Sequence, residues 1–225
     1  MVSREKYRIS AMLNIQRFTC NMLQENCYVV YDETKECVII DCGAFYPEEH
    51  QAISRFIHDN KLTPVHLIAT HGHFDHNIGN DVIYKEFGLK VELRIEDRSL
   101  IENLADQASS MLGMLLQKEY APVGHYFTDG ETVAFGNHSF TILHTPGHTP
   151  GSCVFYCEEE KVAFTGDTLF KQSIGRTDFP GGSYAQMKES LKLLRSLPES
   201  TILLCGHGPQ TSMADELRSN PYLIY

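Results

Sequence analysis

His71-Gly72-His73-Phe74-Asp75-His76 puts three histidines and an aspartate into one hexapeptide. It follows the apolar run Val65-His66-Leu67-Ile68-Ala69, which is short, partly β-branched and preceded by Pro64. Such a run reads as a buried strand over residues 65–70. Gly72 lets the backbone turn sharply where that strand stops. The hexapeptide is therefore expected on a strand-end loop, where α/β proteins place their chemistry. Neutral imidazoles and carboxylates are ligands suited to zinc and iron.

Three more apolar runs end in the same manner. Phe140-Thr141-Ile142-Leu143 leads into His144-Thr145-Pro146-Gly147-His148-Thr149-Pro150-Gly151. Val162-Ala163-Phe164 leads into Thr165-Gly166-Asp167-Thr168, and Ile202-Leu203-Leu204-Cys205 into Gly206-His207-Gly208-Pro209. Glycines beside each site permit close backbone approach. One Gly-His pair carries little weight, but four such strand ends in one chain point to a shared metal centre. Seven ligands exceed the three protein ligands and water of a catalytic zinc. They suit two metals about 3.5–4 Å apart if one carboxylate bridges.

The remaining pattern predicts three strands between Met12 and Cys42, with a hairpin turn at Asp32-Glu33-Thr34-Lys35. Helices are expected over residues 47–60 and 77–87, and a strand near 90–95. Residues 96–118 read as an amphipathic helical insertion with a Met/Leu stripe, packing in the core or covering the pocket mouth. Strands follow near 131–135, 139–144, 152–156, 161–165 and 201–205, with helices at 184–197 and 213–219. Two strand-rich halves, each with helices, suggest two sheets packed face to face with helices outside. No Pro/Gly/Ser linker splits the chain, so residues 1–225 are expected to form a single domain.

A hydrophobic share of 42% and a charged share of 21% place the 225-residue chain among soluble globular proteins. No apolar run approaches the roughly 20 residues of a membrane helix. Residues 1–10 are polar and charged, with no secretory signal pattern. A net charge of −10 argues against nucleic acid and anionic membranes as partners. The seven cysteines include no CxxC pair and fall mostly within apolar runs. Reduced, buried thiols are expected, which fits a cytoplasmic location.

The HxHxDH motif together with His148, Asp167 and His207 resembles the five-part signature of metallo-β-lactamase-fold hydrolases, over nearly the whole chain. The resemblance implies an α+β fold, a four-layer αββα sandwich with its metal site at one edge of the two sheets. It implies His71, His73 and His148 on one metal, and Asp75, His76 and His207 on a second, with Asp167 bridging. Two divalent ions are implied, zinc foremost, with iron or a zinc–iron pair as the alternative.

Within that superfamily, residues 145–151 and 165–170 are similar to those of glyoxalase II-like enzymes. Residues 175–182, 206–209 and Asn220-Pro221-Tyr222-Leu223 resemble a short bacterial subgroup of them. The resemblance implies hydrolysis of a small-molecule thioester, typically S-lactoylglutathione, by a metal-bridging hydroxide that Asp75 orients. Arg176 lies where the family carries a basic substrate-binding residue; its other reading is a structural arginine ordering the Gly-rich loop. The helical C-terminal extension that grips glutathione in full-length relatives is not expected here, which sets glutathione recognition apart from the hydrolase chemistry.

A rival on the same fold is a mononuclear-iron persulfide dioxygenase, which would use His71, His148 and Asp167 as a 2-His-1-carboxylate triad. β-Lactam hydrolysis fits less well, since typical lactamases lack a bridging carboxylate at the Asp167 position. Among the other histidines, His50, His58, His125 and His138 read as surface or loop residues. His66 and His144 could support ligands from behind. Asp41 is expected to order a ligand loop rather than to bind metal.

Overall fold

The computed structural model describes residues 4–8, 13–113, 115 and 120–224. A seven-stranded sheet runs in chain order: β1 (Arg4–Arg8), β2 (Asn14–Cys20), β3 (Glu25–Tyr31), β4 (Glu36–Ile40), β5 (Thr63–Ile68), β6 (Val91–Arg94) and β7 (His125–Phe127). The first four strands pair antiparallel, and β4 through β7 pair parallel. The second sheet comprises β8 (Thr132–Phe135), β9 (His138–His144), β10 (Cys153–Cys157), β11 (Val162–Gly166), β14 (Ile202–Cys205) and β15 (Thr211–Ser212), in the order β15-β14-β11-β10-β9-β8. A small ribbon pairs β12 (Leu169–Phe170) with β13 (Ser173–Ile174).

Side-chain alternation along these strands builds four layers. On β3 and β4, Tyr28, Val30, Val38 and Ile40 meet Phe140, Phe155 and Phe164 of the second sheet. Cys27, Val29, Cys37 and Ile39 face the other way, against Ala52, Ile53 and Ile57 of α1 (Pro47–Asp59). Across the second sheet, Val154, Ala163 and Leu203 pack on Met187, Leu191 and Leu194 of α6 (Tyr184–Leu194) and Met213 of α7 (Met213–Ser219). The expected αββα sandwich is therefore present. All seven cysteines are buried free thiols, and Cys153 and Cys157 both lie in the layer between the sheets.

α1 starts at Pro47 with two glutamates in its first turn, where a pre-set φ and negative charge favour a helix start. Glu49 turns back to accept the amides of Phe45 (2.7 Å), Tyr46 (3.1 Å) and Asn21 (2.8 Å), tying the helix to the β2–β3 turn.

Three expectations need correction. The helix expected at 77–87 is two pieces, α2 (Phe74–Asn77) and α3 (Asn80–Phe87), so Asp75 and His76 sit within a helical turn rather than a loop. Gly79 makes that break tight, its amide donating 2.9 Å to the Cys42 carbonyl. The helical insertion at 96–118 is a 3-10 turn (Ile95–Asp97), α4 (Arg98–Ile101) and α5 (Leu104–Leu112); residues 114 and 116–119 lie outside the described residues. Its continuity fails because Asp97 and Gln107 turn their polar groups onto the backbone around Gly72 and Leu100. Third, His138 is no surface residue; it lies in β9 and is buried.

Candidate metal centre

Antiparallel steps from β9 to β10 to β11 and the parallel β11–β14 pair point β9, β11 and β14 the same way. Their following loops, with the turn after β5, carry the seven predicted ligands to one edge of the sandwich. The two sheets are strapped together there. Asn26 donates through its side chain to the carbonyls of Cys205 (3.0 Å) and Gly208 (2.9 Å), and Tyr28 Oη donates 2.7 Å to Cys205. Both side chains thus hold the strand end that presents His207, a role their sequence positions did not disclose.

The seven residues form two touching clusters. His71, His73 and His148 offer ligand atoms to one another, as do Asp75, His76 and His207. His73 Nδ1 lies 2.9 Å from His148 Nε2, and His76 Nε2 lies 3.2 Å from His207 Nε2. Asp167 sits between the clusters. Its Oδ1 is 3.4 Å from His76 Nε2, and its Oδ2 is 3.5 Å from His148 Nε2 and 3.6 Å from His207 Nε2.

Hydrogen bonds behind the rings decide which nitrogens face inward. His148 Nδ1 donates to the Arg176 carbonyl (2.7 Å) and His207 Nδ1 to the Leu23 carbonyl (3.1 Å). His76 Nδ1 meets Asp41 Oδ2 at 3.0 Å. Thr70 Oγ1 donates to the same oxygen (2.8 Å), which leaves it as acceptor for His71 Nδ1 at 3.0 Å. Each of these rings therefore turns an Nε2 lone pair into the centre, as metal-ligating histidines do. His71 Nε2 and Asp167 Oδ1 are buried without a hydrogen-bond partner among the described residues. Facing lone pairs and buried, unpartnered acceptors repel one another and are costly unless a cation lies between them. The donor set of five imidazoles and two carboxylates fits divalent zinc or iron.

Charge follows the same logic. Burial drives the proton affinity of His71 far down, with its neighbouring imidazoles adding to the effect. Burial, with His148, lowers His73 to about 4. Burial would raise Asp167, but His76 and His207 outweigh it and hold the carboxylate well below its usual range. Burial alone would lower His76 and His207, yet Asp167 and Asp75 raise both. Protons and metal ions thus compete for those two nitrogens.

Sequence reading gave Asp41 a loop-ordering role, and the structure agrees: Asp41 Oδ1 accepts the Thr70 amide at 2.7 Å. It gave no sign of Asp97. That fully buried carboxylate accepts the Gly72 amide (2.8 Å), the Thr149 hydroxyl (2.7 Å) and the Gly151 amide (2.6 Å). It joins the loop of His71 and His73 to that of His148. His144 Nε2 donates 2.8 Å to the Pro150 carbonyl and steadies the same loop. His66 instead pairs with Glu92 (2.7 Å), within the first sheet.

A cavity of about 360 Å³ opens over the clusters. His73, Asp75, His148, Asp167 and His207 form its floor, with Leu23, Met111, Phe170, Arg176 and Phe179 around them. Arg176 lies over the Phe179 ring at 3.9 Å, and its Nε and Nη2 grip Asp178 at 2.7 and 2.8 Å. It thus both orders the Gly-rich loop and lines the cavity.

A profile of the metallo-β-lactamase superfamily matches residues 20–207. The chain belongs to that superfamily. It is 38% identical to the hydroxyacylglutathione hydrolase GloC of Haemophilus influenzae, over 94% of this chain and 98% of that one. Three solved structures are similar. BLEG-1 B3 metallo-β-lactamase superposes with a TM-score of 0.85 at 35% identity, covering 94% of this chain and all of that one. TTHA1623 in a di-iron-bound form gives 0.80 at 36%, covering 91% and 98%. ETHE1 from Myxococcus xanthus gives 0.71 at 25%, covering 98% and 83%. The chain is thus a metal-dependent hydrolase by family. The superposition on BLEG-1 agrees with the metallo-β-lactamase fold expected from the sequence.

Proposed function

We propose that this protein is a binuclear metallohydrolase acting on thioesters, of glyoxalase II type. One observation carries the reading: Asp167 reaches both ligand clusters with its two oxygens. His71, His73 and His148 would hold one ion, Asp75, His76 and His207 the other, with Asp167 shared. Zinc is the first choice, and iron or a zinc–iron pair is the alternative, in line with the di-iron form of TTHA1623.

A metal pair supplies an activated water nucleophile and a Lewis acid for the substrate carbonyl. The protein's own groups do the rest. Asp75 lines the cavity and orients the attacking water. Asp97 and Asp41 keep the ligand rings aimed. Arg176 offers its remaining N–H groups to a substrate carboxylate. The leaving thiolate, with a thiol pKa near 8.5, needs no general acid. The Haemophilus relative is named a hydroxyacylglutathione hydrolase, which supports a thioester as the substrate class.

One competing reading follows from the motif's resemblance to persulfide dioxygenases: a single iron on His71, His148 and Asp167 that activates oxygen for a persulfide, for which the buried, unpartnered His71 Nε2 and Asp167 Oδ1 speak. Metal content by elemental mass spectrometry, with a thioester panel, separates the two. About two ions per chain, with hydrolysis lost on chelation and restored by metal, is expected. Near-complete turnover after rigorous chelation overturns the proposal. One iron per chain, with oxygen uptake on glutathione persulfide, would replace it by the dioxygenase.

A further inference from the structure

The cavity has two ends of different character. At one, Phe179 packs against His73 (ring centroids 5.5 Å apart) and His148 (6.4 Å), and carries Arg176 on its face. At the other, Phe170 lies 6.3 Å from the His207 ring, beside Leu23, whose carbonyl holds that histidine. Met111 of α5 joins the rim. Leu23 and Met111 are 37% and 40% exposed. Such exposure of large apolar groups beside a polar floor marks a surface made for an apolar ligand.

Arg176 is the one lysine or arginine among the described residues lining the cavity, and Asp178 already engages two of its nitrogens. A thioester has two arms, one on each side of the reacting carbonyl. A carrier bearing several charges would meet a single, partly neutralised guanidinium at one end and aliphatic and aromatic carbon at the other. We infer that the substrate is a thioester with one apolar arm, aliphatic or aromatic, seated on Leu23 and Phe170. Its other arm carries a carboxylate directed to Arg176. This rests on the thioester reading above and names the substrate class within it.

The test uses non-hydrolysable ketones in which a methylene replaces the thioester sulfur. One arm is fixed as a short carboxylate, and the other is phenethyl, hexyl or hydroxyethyl. A ketone reads alike from either end, so the series holds whichever arm is the acyl group. Dissociation constants are measured by calorimetry on the full chain with the metal it carries when purified. Each methylene fully removed from water favours binding by roughly fourfold. With partial burial, the phenethyl and hexyl ketones should bind at least about tenfold tighter than the hydroxyethyl one. Changing Leu23→Ser, at an exposed position outside the core, should cut that ratio to about threefold.

Equal or tighter binding of the hydroxyethyl ketone overturns the inference, as does absence of binding by all three. Hydrolysis is assayed separately on matching thioesters. If no thioester turns over while the apolar preference holds, the reaction reading falls and the pocket assignment stands.

Discussion

Asp41 Oδ2 lies 3.0 Å from Nδ1 of His76, behind a ring that is fully buried and turns its other nitrogen toward His207. The aspartate has a backbone φ of 51°, a conformation that non-glycine residues rarely adopt. It fixes the His76 tautomer and also holds Thr70, which in turn orients His71. Asp41→Asn keeps the shape but can offer an amide N–H where an acceptor is needed. Metal retention against a competing chelator should fall about tenfold to a hundredfold. Unchanged retention would mean that the ring is aimed by packing alone.

Asp97 anchors two ligand loops at once. Asp97→Ala strands the buried amides of Gly72 and Gly151 and leaves the Thr149 hydroxyl with Ser152 alone. Each lost partner costs about 1–3 kcal/mol, so denaturant unfolding should register a loss on the order of 3 kcal/mol. Asp97→Asn keeps one acceptor oxygen and should lose less.

Gly206 precedes His207, and a Cβ there would run into Asp167 Oδ1 and come within 2.7 Å of His76 Cε1. Gly206→Ala removes no ligand, yet it drives the two clusters apart. Overpacking of this sort costs about 1–3 kcal/mol, which at ligand positions means about tenfold weaker metal retention or more. Circular dichroism should show the sandwich intact. Full metal content in this variant would contradict the close approach.

At the opposite end of the sandwich, His138 is buried between Asp32 (3.1 Å) and Glu160 (3.2 Å). Burial alone would lower its proton affinity, but the two carboxylates raise it above the usual imidazole value. Burial would likewise raise Asp32, but Thr34, Asn137 and His138 hold it below the usual carboxylate value. The histidine's contribution to stability is complete below its unfolded value of about 6.5 and is lost as pH rises through the raised folded value. That of Asp32 is complete above about 3.9 and is lost as pH falls through the lowered folded value. Wild type should therefore exceed His138→Gln in thermal stability by its full margin between about pH 4 and 6.5, and by less above. A margin that grows on the alkaline side would refute the ion pairing.

The strands and the convergence of the seven histidines and aspartates were readable because each rests on local pattern: an apolar run, a glycine, then a histidine or aspartate. What escaped was tertiary. Asp97 sits in the polar triplet Glu96-Asp97-Arg98, whose charge pattern matches that of any exposed helix start. Its partners Thr149 and Gly151 are more than fifty residues away. Strands β7, β12, β13 and β15 have too few residues to show a period, and β1 (Arg4-Glu5-Lys6-Tyr7-Arg8) shows no apolar alternation. His138 looked exposed because it follows Gly136-Asn137, a turn signal, while its burial depends on Asp32 and Glu160 from other turns.

Each cluster draws residues from both sheets: His148 joins His71 and His73, while His207 joins Asp75 and His76. An ion in either cluster would therefore act as a rivet between two halves of the chain whose shared layer is oily and whose edge is tied by the Asn26 and Tyr28 hydrogen bonds. Loading and sandwich closure become one equilibrium. Stripping the ions would loosen the molecule like a book opened at its fore-edge, with the His138 clamp serving as the spine.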